Sequence, residues 1–501
     1  MDSPLNSGAL PSHWSSSSPR FLVIAIALVL AGVTLLFLLA ALEARWLHAQ
    51  PWSTAVWTEE VDIASDEAIN AWSRTLTIEQ SLGDSVVVKL IQEDMVRESR
   101  RLSARPGRSA NPLDTKSLLN LDFLPRASLL MLDLAPSRLE PVLASGRLPV
   151  AGAREVLAGP LLSGRDVVLD GQTFKVTGQL SPQASGFNKV YVIPMDPALE
   201  PHFLPALGGT KGRFIADTRG RLETLIPELF DPALESLPKV HGGPVQTRPY
   251  IAWGIWLALL MVAVGSSTLM LEICRRLSRL PVPVLSHAMQ EVVLRPRLIG
   301  ALLLIFFGGF FGAMALGLAD TELNYFFTQY ASHEFTEGGL KYVGDAYDSG
   351  DISRAAHATF FNNFVMQTLL LSSVASLIPP FFAGLVKIML SFVVVGFAMA
   401  PLWTETAAGM TYHAVTLGLE LPPYVLTGFG AAVWLQYIWG FLWSPVRVWY
   451  LGDKAVGQPI VDDAARLLPR GLLVLTGCTA VSAVFLYVAA WYEAVTLISF
   501  R

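Results

Sequence analysis

The sequence predicts an α-helical polytopic membrane protein of about seven apolar segments, some of which could be re-entrant, with an inserted α+β extracytoplasmic domain. Three observations carry that reading. Of 501 residues, 52% are hydrophobic and only 15% charged, whereas soluble proteins carry about 25% charged residues. The charge deficit is concentrated in blocks long enough to cross hydrocarbon, and the mean hydropathy is +0.47. A polar stretch of ordinary globular composition, 49–248, follows the first of these blocks.

Residues 1–20 are rich in Ser and Pro and read as a disordered cytoplasmic tail. Residues 21–42 run 22 positions without a charge, and about 20 apolar residues span a bilayer as a helix. A signal-peptide core is shorter, about 7–15 residues, so 21–48 is expected to be an uncleaved anchor. In 49–248 the segments 85–90, 127–134, 166–180 and 189–194 read as strands. Asp170-Gly171, between two β-rich runs, is a hairpin signal because both positions tolerate positive φ. Residues 66–82 read as a helix.

Six further apolar blocks follow, at about 249–273, 298–318, 359–378, 381–402, 413–442 and 471–492. Basic residues in short loops set orientation. Arg275, Arg276, Arg279, Arg295 and Arg297 fall in 274–297, and Arg447, Lys454, Arg466 and Arg470 in 443–470. The loop 319–357 holds seven acids against Lys341 and Arg354. Both basic loops are therefore expected in the cytoplasm, with 49–248 outside. Trp253, Trp256, Trp403, Trp439, Trp443, Trp449 and Trp491 stand near block ends, as interfacial anchors do. Gly308 and Gly312 form a small-x-x-x-small pair that lets helices approach.

The polar residues inside apolar blocks are the candidate functional set, because each costs energy in hydrocarbon unless partnered. His413 and Glu420 are seven positions apart and share a helix face. Pro422 and Pro423 remove two amide donors, so a break near Glu420 with a restarted helix is expected. Glu420 then either caps that break or faces an aqueous path. Asn362 and Asn363 open another apolar block, either as interface caps or as cross-helix bonding groups. The Pro379-Pro380 segment reads as a tight turn between two helices.

Several chemistries are excluded by pattern. There is no phosphate loop, no H-E-x-x-H and no nucleophile elbow. The two cysteines, Cys274 and Cys478, lack zinc or redox spacing. No catalytic residue, metal or cofactor is therefore expected, and a net charge of -5 gives no footprint for nucleic acid.

Residues 355–445 resemble the stage II sporulation protein M family of bacterial membrane proteins. The resemblance rests on Phe360, Asn362 and Asn363, on Gly384 and Gly396 in a hairpin, and on His413, Glu420-Leu421-Pro422 and Gly428/Gly430. Where that family has an Asn-Gly at the middle turn, this chain has "GLVKIML". A looser resemblance links Gly146, Arg147, Pro149, Glu155, Gly159, Val176 and Gly178 to the periplasmic core of MacB-type exporters.

These resemblances imply a bacterial inner-membrane protein divided as 1–20, 21–48, 49–248, 249–354, 355–445 and 446–501. The expected function is a permease-like subunit in an ATP-binding cassette transport or mechanotransmission system. It would couple a separate ATPase, docked on Arg275, Arg276, Arg279, Arg295 and Arg297, to the outer domain. The alternative is a scaffold that recruits cell-envelope enzymes through 49–248, and an intramembrane hydrolase lacks an assembled nucleophile. The bilayer, an envelope protein or exported substrate at 49–248, and a second copy of the chain are the remaining expected partners.

Overall fold

The computed structural model describes residues 19–47, 55–58, 61–62, 84–90, 128–133, 211–217, 240–242, 245–402, 407–451 and 454–499, and 136–194 apart from 151, 163–165, 170–171 and 185. Residues 1–18 of the expected tail, the 66–82 helix, the Asp170-Gly171 turn and Trp403 lie outside these residues, whereas Pro19 and Arg20, expected in the tail, open the first helix. Two units emerge. One holds the N-terminus to 39, 250–401 and 407–501; the other holds 40–249 and 402–406.

The first unit is a helical bundle. Among the described residues, six helices are long and apolar enough to cross a membrane. They lie in α1 (Pro19–Leu47), α2 (Pro249–Leu277), α4 (Pro296–Ala319), the run from α7 (Ile352–Phe360) into a π-helix (Phe361–Val374), α9 (Ala407–Leu451) and α10 (Lys454–Ser499). The short helices α3 (Pro283–Leu294), α5 (Thr321–Thr336) and α6 (Lys341–Asp348) fill the connections. The protein is thus a multi-pass membrane protein in architecture.

The seventh apolar block folds as α8 (Ala383–Ala398), whose 16 residues fall short of the other spans. At 1.5 Å per residue it measures about 24 Å, against about 30 Å of hydrocarbon. Its packing nevertheless follows a spanning helix. Phe392 meets Phe306, Gly396 lies against the Phe310 backbone and Ala400 approaches Gly317. These pairs advance together along both chains, so α8 runs parallel to α4. A Cβ on Gly396 would stand 2.3 Å from the Phe310 carbonyl oxygen, and only glycine permits that approach. The expected pair Gly308 and Gly312 meets nothing within 4 Å. Close contact falls instead on Gly32 and Gly265, which let α1 pack on α2 beside Ala258 and Ala25.

The expected break at Pro422-Pro423 does not occur: α9 is continuous through both prolines and through Pro445. Membrane helices tolerate proline where neighbouring side chains satisfy the backbone. Here α10 lies antiparallel along α9. Its Ser482 hydroxyl is 2.8 Å from the Pro423 carbonyl and accepts from Thr427 at 2.9 Å. Pro422 and Pro423 leave the Gly418 and Leu419 carbonyls without a helical amide donor, and the turn that carries them, Leu421, Pro422 and Pro423, is buried in the bundle.

The second unit is built on an 11-stranded sheet. Its strands are β1 (Ala55–Thr58), β2 (Val61–Asp62), β3 (Asp84–Leu90), β4 (Ser128–Asp133), β5 (Leu143–Gly146), β6 (Glu155–Ala158), β7 (Asp166–Leu169), β8 (Gln172–Leu180), β9 (Val190–Pro194), β10 (Lys211–Asp217) and β11 (Val240–Gly242). Their order is β11-β1-β10-β3-β4-β9-β6-β8-β5, with β2 on β10 and β7 on β8. The expected strands all form, and Leu169 pairs with Gln172 across the predicted hairpin. Leu139, Val142, Leu157, Leu180, Phe187 and Val192 make a core against β5–β9.

Within that core region the Gly-Arg and Glu segments come together. Arg147 forks onto Glu155 with contacts of 2.7 and 2.5 Å, and the Val150 amide donates to the same carboxylate at 3.0 Å. The Arg147 guanidinium, helped by that amide, holds the Glu155 carboxyl down at about 2. Gly146 has φ 85°, and a Cβ there would lie 2.3 Å from the Thr177 carbonyl oxygen. In the same unit, Thr247 donates to the buried Glu43 carboxylate at 2.7 Å, and Arg248 sits 4.7 Å from the Trp46 ring.

Candidate functional site

The polar residues of the bundle gather at two levels. The first centres on Glu420, half-buried on α9. Its Oε1 accepts from Asn363 Nδ2 at 2.9 Å, and Asn363 Oδ1 accepts from Asn362 Nδ2 at 2.9 Å. Asn362 Oδ1 in turn faces the Tyr342 hydroxyl at 3.4 Å, on α6. Sequence reasoning left Asn362 and Asn363 open between caps and cross-helix bonds; Asn363 bonds across helices. The helix start belongs to Asp351, which accepts from the Ser353 and Arg354 amides.

Asn362 and Asn363 lie in the first turn of the π-helix. Its hydrogen bonds close over five residues rather than four, a geometry often found at functional sites. Thr368 donates to the Asn363 carbonyl and Ser372 to the Gln367 carbonyl, each five positions back. The hydroxyls thus bond the widened turns. The helix ends at a 3-10 turn, Ala375–Leu377, and the cis Pro379-Pro380 bond, so the expected tight turn forms. Trp434 Nε1 donates to the Ser376 carbonyl at 2.8 Å, which fixes that turn beside α9.

Three contributors were not singled out from sequence. Glu493, on α10, lies within electrostatic range of Glu420 and of Tyr424. Lys387, on α8, bonds Gln367 of the π-helix. Ser482 ties α10 to the proline turn. Lys387 is a lone charge in "GLVKIML" and Glu493 interrupts "WYEAV", but neither shows which helix it will face, and Ser482 stands among small residues without a signal. Among the described residues, neither Glu420 nor Glu493 pairs with a Lys, Arg or His. His413 is half-buried two turns before Glu420. Chemically, the arrangement is a carboxylate anchored by a neutral amide, with a second carboxylate on the next helix. The Asn363 amide can donate to the Glu420 side chain whether or not that side chain is charged.

The second level is the arginine cluster. Arg275 and Arg276 both pair with Glu272, at 2.9 and 3.3 Å. Arg295 is the most constrained: it contacts Glu291 at 2.8 Å and bonds Gln436 and Tyr437, each at 2.6 Å. Two of the five expected docking arginines, Arg275 and Arg295, are therefore half-buried and engaged within the bundle. Arg276, Arg279 and Arg297 are exposed.

Between Arg279 and Arg295 runs α3, a 12-residue helix. Ala288, Met289 and Val292 form its buried face. A Cβ on Gly477 of α10 would stand 2.4 Å from Ala288 Cβ, so the two helices meet closely. Val282, Val284 and Leu294 remain exposed. The helix is seated on α10 by one face, leaves Val284 and Leu294 exposed, and has the exposed Arg279 before it and Arg297 after it. Comparison of the chain with protein-family models, with curated proteins and with solved structures finds no match to any of them.

Proposed function

We propose that this protein is the permease-like membrane subunit of a transport or mechanotransmission system driven by a separate ATP-binding cassette ATPase. The observation that carries the reading is α3: a short helix between two candidate spans, α2 and α4, flanked by exposed arginines and seated on a third, α10. A partner that moves α3 moves α10 with it. Glu493 lies 16 residues beyond Gly477 on α10, about 24 Å along the axis. The same rigid element therefore links the docking helix to the Glu420–Asn363 pair. Two carboxylates on neighbouring helices repel when both are charged, so a small shift of α10 against α9 changes the energy of that pair. Orientation follows from the arginines: α3 and the α9–α10 tip face the bacterial cytoplasm, and 49–248 faces outward.

The chain carries no phosphate loop, so nucleotide chemistry has to come from the partner. Co-purification in mild detergent tests the assignment. The unaltered chain is expected to retain an ATPase subunit, and the double charge reversal Arg276→Glu with Arg279→Glu is expected to release it while the protein stays inserted. Retention of no ATPase by the unaltered chain defeats the reading and leaves the envelope-enzyme scaffold as the better one.

A further inference from the structure

The last turn of α3, the first turn of α4 and the middle of α9 border an open surface pocket of about 430 Å³ lined by Leu294, Arg295, Pro296, Arg297, Leu298 and Gln436. Its charges do not cancel. Arg295 is neutralised by Glu291 and fixed by Gln436 and Tyr437, whereas Arg297 is exposed and has no ion pair or side-chain hydrogen bond among the described residues. The pocket opens where a candidate span begins. Below Arg297, at helical spacing on the same face of α4, come Ala301, Leu304 and Gly308. Leu304 is 76% exposed, and Gly308 has open space where a side chain would be. On α9, the turns after Gln436 carry Trp439 and Trp443, both exposed, as residues at the headgroup level are.

We infer that this pocket binds the headgroup of an anionic phospholipid, with the phosphate on Arg297 and Arg295 and an acyl chain along Ala301, Leu304 and Gly308. Each part of the ligand meets its chemical complement. Arginine forks onto phosphate oxygens through two parallel donors. The net positive charge selects acidic headgroups over zwitterionic ones, and basic pockets between spans on the cytoplasmic side are suited to them. A free phosphate would satisfy the arginines but leave the apolar strip unused. The inference needs no ATPase: it shares Arg295, Arg297 and the end of α3 with the docking assignment, but that assignment is tested at Arg276 and Arg279, which do not line the pocket.

Native mass spectrometry of the full chain, delipidated and then offered phosphatidylglycerol or phosphatidylcholine, tests it. Phosphatidylglycerol is expected to be retained in preference to phosphatidylcholine. Arg297→Gln, at an exposed position, is expected to retain roughly fivefold less, and Arg276→Gln to retain as much as the unaltered chain. Equal retention of the two lipids overturns the inference, as does undiminished phosphatidylglycerol on Arg297→Gln. Displacement of the lipid by millimolar inorganic phosphate also overturns it, because the site would then be a free-anion site.

Discussion

At the scale of single residues, the Asn363–Glu420 bond separates a structural role from a functional one. Glutamine at 420 keeps an acceptor oxygen for Asn363 Nδ2 but cannot change charge. Alanine at 363 removes the donor and leaves the carboxylate. Interhelical hydrogen bonds in membranes contribute about 1 kcal/mol. Asn363→Ala is therefore expected to lower unfolding stability by about that much, and Glu420→Gln to leave it nearly unchanged. If the carboxylate is the moving part, Glu420→Gln abolishes stimulation of the partner ATPase while the protein remains folded. Thermal unfolding in detergent and ATP hydrolysis on the reconstituted complex read the two effects separately. Unimpaired stimulation by Glu420→Gln would reduce the acid to a staple. The sequence exposed Glu420, Asn362 and Asn363 because polar atoms in apolar runs stand out. It hid Glu493 and Ser482, since a serine in a helix of small residues gives no warning that it will reach a proline turn on another helix.

At the scale of elements, the apolar blocks and five of the eleven strands, β3, β4, β7, β8 and β9, were legible, because both depend on periodicity and length. The continuity of α9 was not. Local chemistry says that two prolines end a helix, whereas here the turn is buried against α10, whose Ser482, 60 residues from Pro422, bonds the Pro423 carbonyl. The π-helix was equally hidden, since the hydroxyls of Thr368 and Ser372 give no distinctive spacing in sequence. The seating of α3 offers the sharpest test at this scale. Gly477→Val would place a branched side chain where Ala288 Cβ now lies 2.4 Å from a built Cβ and the Val284 carbonyl 3.1 Å away. Neither neighbour is the far end of a flexible side chain, so α3 has to move off α10. Loss of ATPase co-purification is expected without any arginine being altered, whereas Gly477→Ser is expected to weaken it less. Retention of the ATPase by Gly477→Val, with protease accessibility of α3 unchanged, would show that docking does not depend on this seat.

At the scale of the molecule, the short helix α8 decides the topology. Length alone leaves it ambiguous, since about 24 Å does not cover the hydrocarbon. Packing resolves the direction: α8 lies parallel to α4, and the turn before it is bonded to Trp434, two residues before the Gln436 that holds Arg295. The turn therefore lies at the arginine end of the bundle. The far end of α8 lies by the end of α4, where Asn324 donates to the Phe397 and Ala400 carbonyls at 3.2 and 3.1 Å. A local thinning of the bilayer by a few ångströms accommodates such a helix at modest cost. Within the bundle the π-bearing helix therefore runs toward the arginine end, α8 away from it, and α9 back toward the side of α3. Single cysteines at Arg279, Lys341 and Arg466, in a chain with Cys274 and Cys478 replaced, convert this into a measurement. Both native cysteines are buried, and alanine removes only one heavy atom from each, the smallest change that takes away the thiol. An impermeant thiol reagent is expected to label positions 279 and 466 from the cytoplasmic side and 341 from the opposite side. Labelling of 279 and 466 from opposite faces would mean that only one arm of the α8 hairpin crosses. The α9–α10 tip would then face outward, and the path from docking helix to Glu420 would have to be redrawn.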